Sequence, residues 1–159
     1  MNFQETLFPG YTIGEDAYQN IPAVCAPSAR RRPSSAANTP WPRRRKNPPG
    51  GGGSDIEITG AYWYGGEASV ENIAMLQPQV AQADMLFAVG GGKAIDTVKV
   101  LAHMTHRPFF TFPTIASTCA SCTSLGILYH PDGSLREYSF SKIPPNHIFI
   151  APQIIADAR

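Results

Sequence analysis

The stretch "FAVGGGKAIDTVKV", Phe87–Val100, decides the fold. An apolar run ends in Gly90, Gly91 and Gly92, and Lys93 follows. Ile95, Val98, Leu101 and Ala102 then fall on one face at helical spacing. A buried strand running through a bare turn into an amphipathic helix is the unit from which α/β sheets are built. Glycines let backbone N–H groups approach an anion, and the helix that follows offers its positive end. Lys93 can add a full charge, and Asp96, one turn on, can cap the turn or hydrogen-bond a ligand. The pattern is neither G-x-G-x-x-G nor a Walker loop. Taken alone it fits a phosphate cradle and a plain strand-to-helix turn equally well.

The neighbouring segments continue the alternation. "GYTIGEDAYQNI" reads as a strand and a helix start, and "IEITGAYWYG" as a strand. "GGEASVENIAMLQPQVAQA" reads as a helix capped by Ser69, with Pro78 opening a further turn rather than closing the first. "DMLFAV", "RPFFTFPT" and "NHIFIAP" read as short strands. "LGILYHPDGSLREYSF" reads as a hairpin turning at Pro131–Gly133. The expected fold class is α/β with a mostly parallel sheet. Such sheets bind ligands at the carboxyl ends of their strands.

A second loop belongs to that edge. "PTIASTCASCTS", Pro113–Ser124, is rich in hydroxyls and follows a strand. Small polar side chains there suit a ribose or an amide, though taken alone the segment reads more simply as an ordinary polar turn. Cys119 and Cys122 form a C-x-x-C, a spacing that suits redox chemistry or half a zinc site. No second pair exists, and chance spacing is the simpler reading. His103 and His106 are best read as favourably placed near a helix carboxyl end.

Composition bounds the rest. The chain has 159 residues, 43% hydrophobic and 16% charged, enough for one domain with a core. No run approaches the ~20 apolar residues of a membrane helix. The first twenty residues do not read as a secretory signal. Three cysteines argue against a disulfide framework and for a cytoplasmic setting. The formal charge of +1 conceals an uneven distribution. Residues 28–53 carry seven Lys/Arg and no acid, leaving six Lys/Arg against twelve Asp/Glu elsewhere.

Together, "PGYTIGEDAY", "GGGKAIDTVK", "PTIASTCASCTSLGILY" and "YHPDGSLREY" resemble the iron-containing alcohol dehydrogenase family, in its glycerol dehydrogenase-like branch. The resemblance covers residues 1–27 and 54–159. It implies a Rossmann-like, mostly parallel nucleotide-binding domain, followed in the family by an all-helical domain expected to be missing from this stretch, with a divalent metal, zinc or iron, between them. The implied reaction is NAD- or NADP-linked oxidation of the CH–OH group of a small polyol such as glycerol, or of a 2-hydroxy acid. By position, Gly91, Gly92 and Lys93 would cradle the pyrophosphate, with Gly90 also among the cofactor-binding residues. Asp96, Thr114, Ser117, Thr123, Leu125 and Tyr129 would line the remaining cofactor site. Cys119 stands near the substrate, where glycerol dehydrogenases have an aspartate. No catalytic or metal-binding residue is expected in this stretch. The metal ligands are expected beyond residue 159, so the chain alone is expected to be inactive. A small-molecule substrate, no membrane and a homo-oligomer are further implications.

Residues 28–53, "SARRRPSSAANTPWPRRRKNPPGGGG", stand where the family has its first core strand and a glycine turn. Prolines remove ladder donors and charges resist burial, so no central strand is expected there. The segment reads as disordered or as translated from a shifted frame. It divides the chain into 1–27, 28–53 and 54–159. The rival reading is a non-enzymatic protein with a basic, nucleic-acid-binding linker.

Overall fold

The computed structural model of the chain describes residues 7–28, the backbone of 34–39, and residues 56–141 and 143–158. In chain order the elements are β1 (Gly10–Ile13), a 3-10 turn (Ala17–Asn20), α1 (Ile21–Cys25), β2 (Ser34–Thr39), β3 (Ile56–Ala61) and α2 (Val70–Gln79). They continue with β4 (Met85–Gly90), α3 (Gly92–Met104), β5 (Phe109–Pro113), β6 (Leu125–Tyr129), β7 (Leu135–Phe140), β8 (His147–Ile150) and α4 (Pro152–Ala156). Six strands form one sheet in the order β1-β8-β5-β4-β2-β3, and every pairing is parallel. This is the α/β architecture expected from the sequence.

β4 is apolar throughout because both of its faces are covered, as in parallel sheets generally. Leu86 and Ala88 face a core shared with Ile73 and Leu76 of α2 and Ile95, Val98 and Leu101 of α3. Met85, Phe87 and Val89 face the other side, where Phe110, Phe112, Phe149, Ile21 and Cys25 gather. The alternation of β5 does the same work, with Phe109 on the first face and Phe110 and Phe112 on the second. Phe112 and Phe149 stack with centroids 5.0 Å apart.

Ser69 caps α2 as expected, its Oγ accepting from the Asn72 N–H at 3.2 Å. Pro78 falls in the last turn of α2, and the helix stops one residue later. It marks the end of α2 rather than a new turn, since proline breaks the helical hydrogen-bond ladder. The antiparallel pair β6–β7 is a separate ribbon. Its turn is closed by Gly133 N–H donating to the His130 carbonyl, with Gly133 at φ 85°.

One expectation is corrected. β2 lies inside the sheet, with Ala36–Thr39 paired to Met85–Ala88 and Ser34–Asn38 paired along β3. The prolines and arginines that argued against a strand stand outside it. Ser34–Thr39 lies between Pro33 and Pro40 and contains neither proline nor charge. Its backbone can therefore complete the ladder between β3 and β4. The expectations for Arg30–Arg32, Arg43–Arg45 and Lys46 lie outside the described residues.

Phe112 is fully buried, and Val70 is 37% exposed. Phe112→Ala should cost about 3–5 kcal/mol in urea unfolding, whereas Val70→Ala should stay within about 0.5 kcal/mol. Equal effects would contradict the two-sided core.

Candidate functional site

The site begins where β4 ends. Gly90 has φ 147°, a conformation that side chains rarely adopt, and it turns the chain out of the sheet. Gly91 is then the extended N-cap of α3, and no side chain caps the helix. The first N–H groups of this thirteen-residue helix are thus left for a ligand or solvent. An anion suits them.

The loop after β5 closes on this turn. Thr114 N–H donates to the Gly90 carbonyl at 3.1 Å. A Cβ on Gly91 would stand 2.7 Å from Ile115 Cδ1, and one on Gly92 would stand 3.0 Å from Thr118 Oγ1. The glycines therefore serve close packing of the 114–118 loop as well as access to the helix end. Both loops lie at the carboxyl ends of adjacent strands, the edge where α/β sheets hold ligands.

Lys93 does not point a free charge at the turn. Its Nζ donates to Glu67 Oε2 at 2.7 Å and lies 5.6 Å from the centroid of Tyr129. The Lys93 pKa is raised, first by that hydrogen bond to Glu67. Glu67 comes from the loop before α2, and Tyr129 from the end of β6, whose N–H donates to the Ala68 carbonyl at 2.8 Å.

Asp96 is buried and its carboxylate is engaged within the protein. Oδ1 accepts from Lys99 Nζ at 3.0 Å, and Oδ2 accepts from the Ile127 N–H at 3.3 Å. Lys99 is fully buried and donates also to the Leu125 carbonyl at 2.6 Å and to Thr123 Oγ1 at 3.5 Å. Burial pushes Asp96 above the usual carboxylate range and Lys99 below the usual lysine range. Their attraction opposes both shifts without reversing either.

The expected site residues thus divide. Gly90–Gly92, Lys93, Thr114 and Tyr129 come together around the glycine turn. Asp96, Thr123 and Leu125 are knitted together by Lys99. Ser117 and Cys119 are exposed on the loop. Sequence reasoning missed Glu67 and Lys99. The i,i+3 spacing of Asp96 and Lys99 was a legible signal for pairing, but not for burial. No local pattern ties Glu67 to Lys93.

The description "Iron-containing alcohol dehydrogenase" belongs to a family model that matches residues 51–152, most of the chain. The chain belongs to the iron-containing alcohol dehydrogenase family. It is therefore a member of a family of NAD(P)-linked, metal-using oxidoreductases. It is 40% identical over 96 residues to glycerol dehydrogenase 1 of Schizosaccharomyces pombe, a match covering 60% of this chain and 21% of that protein. It is 38% identical over 96 residues to glycerol dehydrogenase of Thermotoga maritima, covering 60% of this chain and 26% of that one. The crystal structure of glycerol dehydrogenase from Schizosaccharomyces pombe superposes with a TM-score of 0.79 at 26% identity, covering 99% of this chain and 41% of that one. The matched stretch thus spans about a fifth to a quarter of these curated iron-containing alcohol dehydrogenase relatives.

Among the described residues no three His, Cys, Asp or Glu gather closely enough to hold a metal ion, and none is assigned to one. No helix among them is long and apolar enough to cross a membrane.

Breaking the buried pair should be costly: Lys99→Met and Asp96→Asn each lose about 3–5 kcal/mol, and the double variant less than their sum. The pH dependence has a definite sign. A folded carboxyl raised above its unfolded value of 3.8 favours the folded state most at acid pH and loses that advantage as pH rises. Lys99→Met removes the opposing cation, so its deficit in urea should be small at acid pH and grow towards neutrality. A pH-independent deficit would remove the pair from the argument.

Proposed function

We propose that this chain forms the nucleotide-binding part of a metal-dependent, NAD(P)-linked dehydrogenase acting on the CH–OH group of a small polyol such as glycerol, or of a 2-hydroxy acid. The observation that carries this reading is the uncapped amino end of α3 behind Gly90, with the 114–123 loop beside it at the same sheet edge. The Gly91, Gly92 and Lys93 N–H groups donate to the pyrophosphate. Lys93, steered by Glu67, supplies positive charge at the rim, and Thr114, Ser117 and Tyr129 flank the cofactor. Asp96, Thr123 and Leu125 act on the cofactor through the Lys99 network, which fixes the loop's exit. When bound, a nicotinamide cofactor would supply the acceptor for the substrate's hydride.

Cys119 bears on the choice of substrate. A neutral thiol cannot accept two hydroxyl hydrogen bonds as a carboxylate can, and it does not repel an anion. That supports a 2-hydroxy acid as the second substrate class. We extend the proposal to a cytoplasmic setting, which three unbridged cysteines support, and to a homo-oligomer, as the resemblance implies.

NADH titrated into the chain should bind saturably, followed by its fluorescence. Gly92→Ala places a Cβ 3.0 Å from Thr118 Oγ1, which can give by the small amount needed. The variant should stay folded by circular dichroism and lose affinity about tenfold, or ~1.4 kcal/mol. Undiminished binding, or none by the unaltered chain, refutes the reading. In the dehydrogenase carrying this segment, a chelator should abolish NAD-linked turnover of polyols and 2-hydroxy acids alike.

Residues 28–53 carry a separate proposal, a shifted reading frame between two compensating small insertions or deletions. The family match begins only at residue 51, yet β2 lies in the sheet between β3 and β4. Resequencing should reveal a neighbouring frame that spells an apolar strand ending in Gly-Gly. Stops or charged residues in that frame would make the basic segment a true insertion.

A further inference from the structure

Cys119 and Cys122 stand at the two ends of a turn closed by the Cys122 N–H donating to the Cys119 carbonyl at 3.0 Å. A turn of this kind holds its end Cα atoms within about 7 Å, and a disulfide needs about 4.4–6.8 Å. The Cys122 side chain folds back over the turn, its Sγ 3.2 Å from the Cys119 carbonyl oxygen. The turn is also anchored. Thr111 Oγ1 of β5 donates to the Ser121 carbonyl at 2.9 Å, and the N–H of buried Ala120 donates to Thr118 Oγ1 at 3.0 Å. Both cysteines thus stand on one short turn with a fixed base.

Their surroundings give them different parts to play. Cys119 is exposed and Cys122 is partly covered, so a reagent in solution meets Cys119 first. Cys25 contrasts with them: it is buried on the far face of the sheet, and burial pushes its thiol up to about 12.

We infer that Cys119 and Cys122 form a thiol–disulfide exchange site for a small-molecule disulfide of the glutathione type. Cys119 releases its proton to solvent and its thiolate attacks one sulfur of the small disulfide. The S–S bond breaks, and the first small thiolate leaves. Cys122, deprotonated in turn, attacks the Cys119 sulfur and displaces the second small thiolate. The two protein thiols are oxidised by two electrons to one disulfide, the small disulfide is reduced to two thiols, and these take up the two protons. A reduced dithiol reverses the sequence. The new bond fixes the turn next to Thr118, which packs over Gly92, so the site's redox state is felt at the glycine turn.

The test is a thiol map of the folded chain after incubation with glutathione disulfide. Two of the three thiols should be lost, in a peptide lighter by two hydrogen atoms, with no glutathione retained. Dithiothreitol should restore both. Cys122→Ser should instead keep one glutathione on Cys119, because the resolving thiol is gone. A stable glutathione adduct on Cys119 in the unaltered chain would overturn the inference. So would oxidation of Cys25 at a comparable rate, or no reaction at all. The readout is mass, so failure to bind NADH leaves this result unaffected, and a negative thiol map leaves the proposed dehydrogenase role intact.

Discussion

The Lys99 ammonium, sealed from water inside a helix of a parallel α/β domain, is the constraint on which the site depends. An isolated buried charge is far too costly to persist. It is tolerated here because it is satisfied from three directions: by Asp96 on its own helix, by the Leu125 carbonyl at the start of β6, and by Thr123 just before it. Asp96 uses its second oxygen to accept from Ile127. One buried pair thus joins α3 to the exit of the 114–123 loop and to the hairpin. Burying it brings no clear gain in stability, since desolvation drives both groups towards neutrality. What it provides is fixed geometry at the edge where the glycine turn and the 114–123 loop stand.

The glycine turn meets the same constraint from the other side. Gly90 must adopt a positive φ, and Gly91 and Gly92 must lack side chains for Ile115 and Thr118 to approach. The two loops are therefore interdependent. A side chain added on either glycine presses on the loop after β5, and any movement of that loop reaches the amino end of α3. The C-x-x-C turn lies in this same loop, pinned to β5 through Thr111. A chemical change at the two sulfurs consequently acts on the glycine turn without touching it.

Much of this was legible in the linear chain. Local periodicity identified β4, α3 and the hairpin, because apolar spacing of two or 3.6 residues reports directly which faces are buried. Ser69 was recognisable as a cap from chemistry alone. Reading the basic segment as a block failed for β2. Averaging over its arginines and prolines hid the six-residue window from Ser34 to Thr39 that carries neither. A strand held between two neighbours needs only an unobstructed backbone, and composition does not report that. Pro78 was also misplaced, since its effect depends on how much helix the fold leaves beyond it.

The sequence by itself determined the α/β class, the glycine turn before α3 and the polar loop after β5, because each follows from residues close together in the chain. Only the tertiary structure decided what their charges do. Lys93 reaches Glu67 across 26 positions, and Lys99 reaches Leu125 across another 26. Electrostatic partners are chosen by distance in space and by exclusion of water, and neither is encoded in spacing along the chain. For the same reason a lysine that reads as an ordinary helix residue becomes the buried centre of the site, while the lysine of the glycine motif stands at its rim, held by a carboxylate.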